Sequence, residues 1–328
     1  MVERTFYNVG QALFCKEQVE NFSIVYDCGG ENEGIIRDAI HRAFKRGDCI
    51  DMLFLSHYDR DHINGVFVLL NYCKVHHLIL PMLSNLHRFI EYEDMHTSSL
   101  EVETFFNDAE EYIRQHLLDT KVHYVTNSLE GDTYGDLGSL PKEIASNSII
   151  IHGDSSSKWL YKVYNRVLMD NKHEEVFLKA LGLPSTAPFA LIKEEWKTKK
   201  ISIKKALEQV GIINIKEIND YSMSLYSGCD IEKSGCLYLG DYNAKDYFDE
   251  LYNAYKDVWP TIDIIQVPHH GSNNNFDNRL VIREGKHIIS NKEKTISSKN
   301  VDCSEVEFRI KTCGGVVITT FDGDQTIP

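Results

Sequence analysis

The sequence holds no apolar run approaching the roughly 18 residues that a bilayer-crossing helix needs, which argues against a helical membrane protein. Its opening residues, Met1-Val2-Glu3-Arg4-Thr5, pass at once into strand-like sequence and lack the apolar core of a secretory leader. The eight cysteines, Cys15, Cys49, Cys73 and Cys303 among them, are scattered and form no C-x-x-C pair. Spread so thinly, they speak against a disulfide scaffold and read as reduced, mostly buried thiols, with the cytoplasm as the expected address. Positive charge is short as well: 35 Lys and Arg face 49 Asp and Glu, for a formal net charge of −14. That argues against a broad nucleic-acid-binding surface, which needs a face rich in Lys and Arg. It leaves room for a small nucleotide, or for a nucleic-acid end held mainly by metals. Carboxylates that bind cations also inflate the negative count. No Ser-His-Asp or cysteine-nucleophile arrangement stands out.

What is present is enough apolar material for a real core, 42% of 328 residues, and no segment whose composition reads as disordered. The length suits one large domain or two modest ones. The stretch that organises the chain is Leu55-Ser56-His57-Tyr58-Asp59-Arg60-Asp61-His62-Ile63-Asn64-Gly65. Met52-Leu53-Phe54-Leu55 before it is short, continuous and apolar, a buried strand, and Val66-Phe67-Val68-Leu69-Leu70 after it suits the first turns of a buried helix. His57, Asp59, Asp61 and His62 therefore sit on a strand-to-helix turn, where the backbone splays side chains toward one point. Mixed carboxylates and imidazoles suit zinc, manganese or iron. A solvated turn closed by Asn64-Gly65 is the bland alternative.

Read in order, Arg4 to Cys15 is a strand that turns near Gly10-Gln11 and resumes, and Phe22 to Tyr26 is a third strand ending in Asp27-Cys28-Gly29-Gly30. Asp27 either orients a ligand loop or caps the helix that follows. Ile35 to Arg46 has a helical period with Gly47 as its C-cap. Val75 to Leu80 is a strand closed by Pro81, in which His76 and His77 point to opposite faces, so at most one reaches a metal. Asn85 to about Leu118 is helical and carries His87, His96 and His116. Val122 to Val125 is a short strand, and Ser148 to His152 pairs with Trp159 to Tyr164 as a hairpin. Residues 167–213 differ in character, helical with a basic patch from Lys193 to Lys205 around Trp196, and are read as an insertion. Strands return at Tyr221 to Tyr226, Gly235 to Asp241, Asp263 to Pro268 and Gly315 to Thr320, with a helix from Lys245 to Tyr255. Two blocks of strands, each followed by helices, fit a two-sheet sandwich with helices outside.

Three strand ends now offer ligands: His57/Asp59/Asp61/His62, Asp241, and His269/His270. A carboxylate such as Asp241 can bridge two ions about 3.5–4 Å apart, a spacing that clamps the attacking and leaving oxygens of a displacement and supplies a metal hydroxide as nucleophile.

The run Ser56 to His62 resembles the H-x-H-x-D-H signature of the metallo-β-lactamase superfamily, in the variant with Asp at the second histidine. Together with Asn8-Val9-Gly10-Gln11, Asp27-Cys28-Gly29-Gly30, Asp220-Tyr221-Ser222-Met223-Ser224-Leu225, Leu239-Gly240-Asp241, Val267-Pro268-His269-His270-Gly271-Ser272 and Val317-Ile318-Thr319-Thr320, it is similar to the soluble domain of the ComEC/Rec2 competence-protein family. The resemblance spans nearly the whole chain except 167–213. It implies an α+β, metallo-β-lactamase-like αββα sandwich, one domain over 1–328 with a helical insertion at 167–213. It also implies two divalent ions, zinc or manganese: His57 and Asp59 on the first, Asp61, His62 and His269 on the second, and Asp241 bridging. Asp61 and His270 are the expected catalytic residues, His270 contacting the substrate or protonating the leaving group.

Two departures stand out. The superfamily's third-motif histidine has no counterpart in context among His76, His77, His87, His96 and His152, and the family's C-terminal Gly-His-Pro is missing after Ile288. The expected activity is hydrolysis of phosphodiester bonds in a nucleic acid or nucleotide. Alternatives are a small-molecule ester or lactam hydrolase, or an effector subunit of a larger assembly, including one acting in defence against foreign DNA. The insertion reads as a lid, a dimer contact or a surface for a protein partner.

Overall fold

Short strands with apolar residues on one or both faces, joined by helices with one apolar stripe, can bury that surface only by stacking in layers. The computed structural model describes residues 2–85, 88, 100–116, 118–153, 158–166, 171–184, 187, 191–192, 195, 208, 222–229, 232–291 and 303–328. The chain divides into two compact units, one of residues 1–81, 118–166 and 221–328, the other of 82–117 and 167–220.

The first unit opens with the expected antiparallel meander of β1 (Val2–Phe6), β2 (Phe14–Val19) and β3 (Phe22–Cys28). The helix α1 (Glu33–Ala43) leads to β4 (Cys49–Phe54), and the short α2 (Arg60–Ile63) and α3 (Val66–Tyr72) lead to β5 (Lys74–Pro81). These strands lie parallel, as crossover helices require. With β6 (Lys121–Val125), β8 (Glu143–Ile144) and β16 (Gln325–Ile327) they form an eight-stranded sheet in the order β16-β1-β2-β3-β4-β5-β6-β8.

A second eight-stranded sheet holds, from one edge, β15 (Val316–Thr319), β14 (Lys286–Ile289), β13 (Ile262–Gln266), β12 (Gly235–Tyr238), β11 (Ser224–Cys229), β10 (Trp159–Tyr164), β9 (Ile149–His152) and β7 (Thr133–Tyr134). The predicted hairpin is β9 with β10, paired from Trp159 opposite His152 to Lys162 opposite Ile149.

Alternation decides which residues meet between the sheets. Ile24, Tyr26, Met52, Phe54 and Ile79 of the first face Tyr161, Val163, Leu225, Tyr238 and Ile264 of the second in one buried cluster. The neighbours in sequence turn outward: Leu237 and Ile265 pack beneath α7 (Ala244–Tyr255), which contributes Phe248, Leu251 and Tyr255, and beneath α8 (Ser304–Thr312), which contributes Val306 and Ile310. On the other side α1 buries Ile36, Ala39 and Ile40, and α3 buries Val66, Leu69 and Leu70. The first unit is thus an αββα sandwich, as expected.

Some boundaries differ from the expectation. Asn32, not Asp27, caps α1, accepting the Ile35 N–H at 3.1 Å. That helix ends at Ala43, because Phe44 turns extended and buries its ring, with the Lys16 ammonium 4.6 Å above it. Gly47 (φ +88°) is not the C-cap; its N–H bonds the Tyr72 carbonyl at 2.8 Å. In the second unit the described helices are α4 (Leu100–Asn107), α5 (Ala109–Gln115) and α6 (Asn171–Leu181); Asp108 breaks the first pair by capping α5 at the Glu111 N–H. His87, His96, Trp196 and all of Lys193 to Lys205 except Glu195 lie outside the described residues.

One buried ion pair joins the sheets. The Arg4 guanidinium on β1 donates to Glu17 Oε2 at 2.7 Å, with both side chains essentially inaccessible, and reaches the Ser227 carbonyl of the other sheet at 3.2 Å. Tyr238 donates to the same carboxylate at 3.0 Å. Removing one partner strands the other charge in the core, so Glu17→Ala should cost about 3–5 kcal/mol in urea unfolding, and Glu17→Gln, which keeps the acceptor, clearly less.

A second buried pair, His77 Nδ1 to His123 Nε2 at 2.9 Å, sits midway along β5 and β6, with His123 Nδ1 donating to the Pro141 carbonyl at 2.7 Å. Burial, and then the positive charge of His123 and Lys121, pushes His77 from 6.5 down to about 4. The unfolded chain therefore takes this proton first. Stability should fall as pH drops from 6.5 through 4, and His77→Gln should flatten that part of a pH series of unfolding midpoints.

Candidate metal centre

The carboxyl ends of the parallel strands in both sheets deliver the polar residues. From the first sheet come Asp27, the penultimate residue of β3, and the run Ser56 to His62 after β4; from the second come Gly240-Asp241 after β12, His269-His270 after β13 and Ser290-Asn291 after β14. Backbone contacts lock these loops together. The Asp61 carbonyl accepts the Leu13 N–H at 3.2 Å, and Gly29 N donates to Leu13 O at 2.8 Å, which ties the segment just after the Asn8 to Gln11 turn to the ligand run. At Gly29 a Cβ would stand 1.7 Å from the Asp61 carbonyl oxygen, so only glycine lets the two loops touch.

Asp27 is the hub. Its buried carboxylate accepts the Ser56 N–H and hydroxyl, both at 2.7 Å, and lies 2.8 Å from His62 Nδ1. Of the two roles open to it in the sequence, it takes the orienting one. Because Ser56 gives its proton to Asp27, its oxygen can only accept from His57 Nδ1, 2.8 Å away. Ser222 Oγ is 3.2 Å from the same nitrogen and also accepts the Asp241 N–H at 2.8 Å. His270 Nδ1 donates to the Ser290 carbonyl at 2.9 Å. Each of these three rings is held through Nδ1, which turns Nε2 into the centre, where it can offer a lone pair to a cation once its proton is displaced.

What Nε2 meets is the group's defining feature. Asp241 Oδ1 lies 3.2 Å from His62 Nε2 and 3.9 Å from His270 Nε2, while Oδ2 lies 3.8 Å from both His57 Nε2 and His269 Nε2. His57 Nε2 is 3.7 Å from Asp59 Oδ2, and His270 Nε2 is 3.2 Å from Asp61 Oδ2. Ligands about 2.1 Å from one ion in tetrahedral array stand about 3.4 Å apart. These separations are of that size. His57 Nε2, His62 Nε2 and Asp241 Oδ1 are moreover buried with no hydrogen-bond partner, a costly arrangement that a cation between them would relieve. The donor set fits divalent ions. His57, His62 and Asp241 converge as one group, and Asp61, His62 and His270 as another.

Charge follows the same pattern. Burial would raise the Asp61 carboxyl, but the hydrogen bond from His270 and the charge of His62 outweigh it and hold it at about 2. Burial would lower His62, yet the Asp241 and Asp27 carboxylates beside it hold it well above the usual imidazole range. Carboxylates that draw protons onto their neighbours this strongly attract metal cations by the same field.

Sequence reading put His269 with Asp61 and His62 and left His270 for the substrate. The structure sets His270, not His269, beside Asp61, and turns His269 toward the His57 side of Asp241. The turn that does this has three successive left-handed residues, His269 (φ +47°), His270 (φ +54°) and Gly271 (φ +85°), and the two imidazole planes stand 86° apart. For the two histidines that backbone costs on the order of 1–3 kcal/mol each. His76 and His77 belong to neither group, and neither does His152, whose ring stacks on Phe22.

Other residues escaped the sequence reading. Gln266 Oε1 accepts the Leu239 and Gly240 N–H groups at 2.8 and 2.7 Å, and Asn275 Nδ2 donates to the Asp241 carbonyl at 3.1 Å, so both shape the loop bearing Asp241. Asn64 clasps Gly30 through both ends of its amide, at 2.8 and 2.6 Å. Ser56 was visible only as a neighbour of His57, and Ser222 only as a member of the 220–225 motif with no role attached; Gln266 and Asn275 carried no local signal.

No family model and no curated protein matches the chain. Solved structures with a similar chain course include the metallo-β-lactamase fold protein YhfI from Bacillus subtilis, at 9% identity over 100% of this chain and 99% of that one, with a TM-score of 0.45. A diphosphatase of the PhnP family is similar at 10% identity over 100% and 98%, TM-score 0.46. The short form of human tRNase Z is similar at 10% identity over 99% and 98%, TM-score 0.38.

If Asp27 holds both His57 and His62 in place, Asp27→Asn should weaken divalent-ion binding by roughly 10–100-fold, the worth of such an outer partner. Calorimetric titration with Mn²⁺ or Zn²⁺ reads this, with far-ultraviolet circular dichroism unchanged. Unaltered affinity would remove Asp27 from the role of hub.

Proposed function

We propose that this αββα protein is a metal-dependent hydrolase of the metallo-β-lactamase fold that cleaves phosphodiester bonds. The observation that carries the reading is the placement of four imidazoles about the two oxygens of Asp241, His57 and His269 toward Oδ2 and His62 and His270 toward Oδ1, with Asp59 beside His57, Asp61 beside His270, and His62 common to both ligand groups. Two divalent ions, when bound, supply Lewis acidity toward a phosphoryl oxygen and activate water near neutral pH. Three carboxylates in the set favour oxygen-loving ions and phosphate chemistry over a histidine-only site.

The chain's own residues do the rest. Asp27 and Ser56 fix the faces of His62 and His57, and Ser290 that of His270. The strained His269-His270 turn aims two adjacent imidazoles at different oxygens of one carboxylate. His270, buried and braced, is therefore assigned as a ligand beside Asp61, and His269, whose side chain is 31% exposed, as the most open of the four imidazole ligands. The order of motifs resembling the ComEC/Rec2 soluble domain supports a nucleic acid or nucleotide as the substrate.

A second reading keeps the centre and changes the bond. The net charge of −14 repels long polyanions, which favours a small ester or lactam. Among the described residues no helix is long and apolar enough to cross a membrane.

The test is hydrolysis of bis-p-nitrophenyl phosphate, labelled linear DNA and RNA, p-nitrophenyl acetate and a chromogenic β-lactam. Each is run metal-stripped and again with Mn²⁺ or Zn²⁺ restored. Phosphodiester cleavage should appear only with metal. Asp61→Ala and Asp241→Ala should each lower it by more than the roughly 10–100-fold that an outer partner is worth. Cleavage confined to the ester or lactam would replace the leading reading with the second.

A further inference from the structure

The four imidazoles of the centre are not held alike. His62 gives its Nδ1 proton to a carboxylate, Asp27, that two other donors pin in place, and His270 gives its own to a backbone carbonyl. Both acceptors are strong and fixed, so both rings are locked in orientation and made more basic. His57 has only hydroxyl oxygens, Ser56 at 2.8 Å and Ser222 at 3.2 Å, and the Ser222 oxygen is already shared with the Asp241 N–H. His269 Nδ1 is buried with no hydrogen-bond partner. Its ring is steered only by the strained backbone beneath it. Of the four imidazoles, His57, His62 and His270 are buried and His269 is the most open.

An outer partner that fixes a ligand imidazole and raises its basicity is worth roughly 10–100-fold in metal affinity. The Oδ1 side of Asp241 has two imidazoles with strong partners. The Oδ2 side has one with weak partners and one with none. We infer that the two halves of the centre hold their ions unequally: Asp61, His62 and His270 keep a resident divalent ion, and His57, Asp59 and His269 take an exchangeable one, with Asp241 common to both. This rests on the dinuclear reading proposed above. Under it Ser222 is a positioning residue, because one hydroxyl joins the His57 ring to the backbone that carries the shared carboxylate. The protein's activity then tracks the free concentration of divalent ion through the weaker half alone.

The test uses the full chain, stripped with a chelator and titrated with Mn²⁺ by calorimetry and with Co²⁺ by visible absorption, without substrate. Two steps separated by about 100-fold or more in Kd are expected. His269→Ala should abolish the weak step and Ser222→Ala weaken it by about 10-fold, both leaving the tight step in place. Ser222→Thr, which restores a hydroxyl, should recover it. His270→Ala should remove the tight step instead. Two equal steps, a single step, or a loss of the tight step in Ser222→Ala or His269→Ala would overturn the inference. Hydrolysis is measured separately on the same preparations: unequal binding without phosphodiester cleavage leaves this inference standing and defeats the proposed function, and cleavage with equal steps does the reverse.

Discussion

A buried carboxylate at the end of one strand organises everything around it. Asp27 occupies a left-handed backbone position, φ +55°, and has no access to solvent, two conditions that each cost free energy. Its two oxygens offset that cost with bonds to Ser56 N, Ser56 Oγ and His62 Nδ1. Through those three donors it fixes both ends of the His57 to His62 run. Charge-assisted bonds in a dry site are short and directional, so the run has one conformation and its imidazoles have one usable face.

The same economy appears in the second sheet, built from neutral groups. The loop bearing Asp241 is held by a glutamine, an asparagine and a serine: Gln266 at the Leu239 and Gly240 amides, Asn275 at the Asp241 carbonyl, Ser222 at its amide. Gly240 (φ +54°) takes the turn between Ser56 and Ser222, where a Cβ would stand 2.6 Å from the Ser56 hydroxyl. The sandwich brings these two loops together because its inter-sheet core, with Tyr26, Phe54 and Tyr238 among its members, sets the spacing of the strands that carry them. Tyr26 adds a direct tie, its hydroxyl donating to the Met223 carbonyl across the sheets at 2.7 Å. Rigid strands place the ligands, and polar brackets choose their angles.

Much of this was legible beforehand. Apolar runs such as Met52 to Leu55 and Asp263 to Val267 announce buried parallel strands, and the ligand residues directly after them announce a site at strand ends. The layer order follows from strand blocks alternating with helical periods. Less was legible where tertiary contacts override local pattern. Gly47 looks like a helix stop, yet Phe44 leaves the helix first to bury its ring. The strand Lys286–Ile289 and the helix Ser304–Thr312 went unassigned: one is short and half basic or polar, and the other is weakly amphipathic with Phe308 exposed.

By itself the sequence determined the ligand types, their grouping in three clusters and their position after strands, because residue chemistry and hydrophobic period are local properties. It also indicated that adjacent histidines at 269 and 270 point different ways, since consecutive side chains diverge. Only the tertiary structure decided which one faces Asp61 and which faces His57, for that depends on three left-handed residues and on where Asp241 arrives from another strand. It likewise decided that Ser222, 165 residues from His57, braces its ring. Contacts at that separation leave no periodic trace in a chain; they exist only once two sheets have packed.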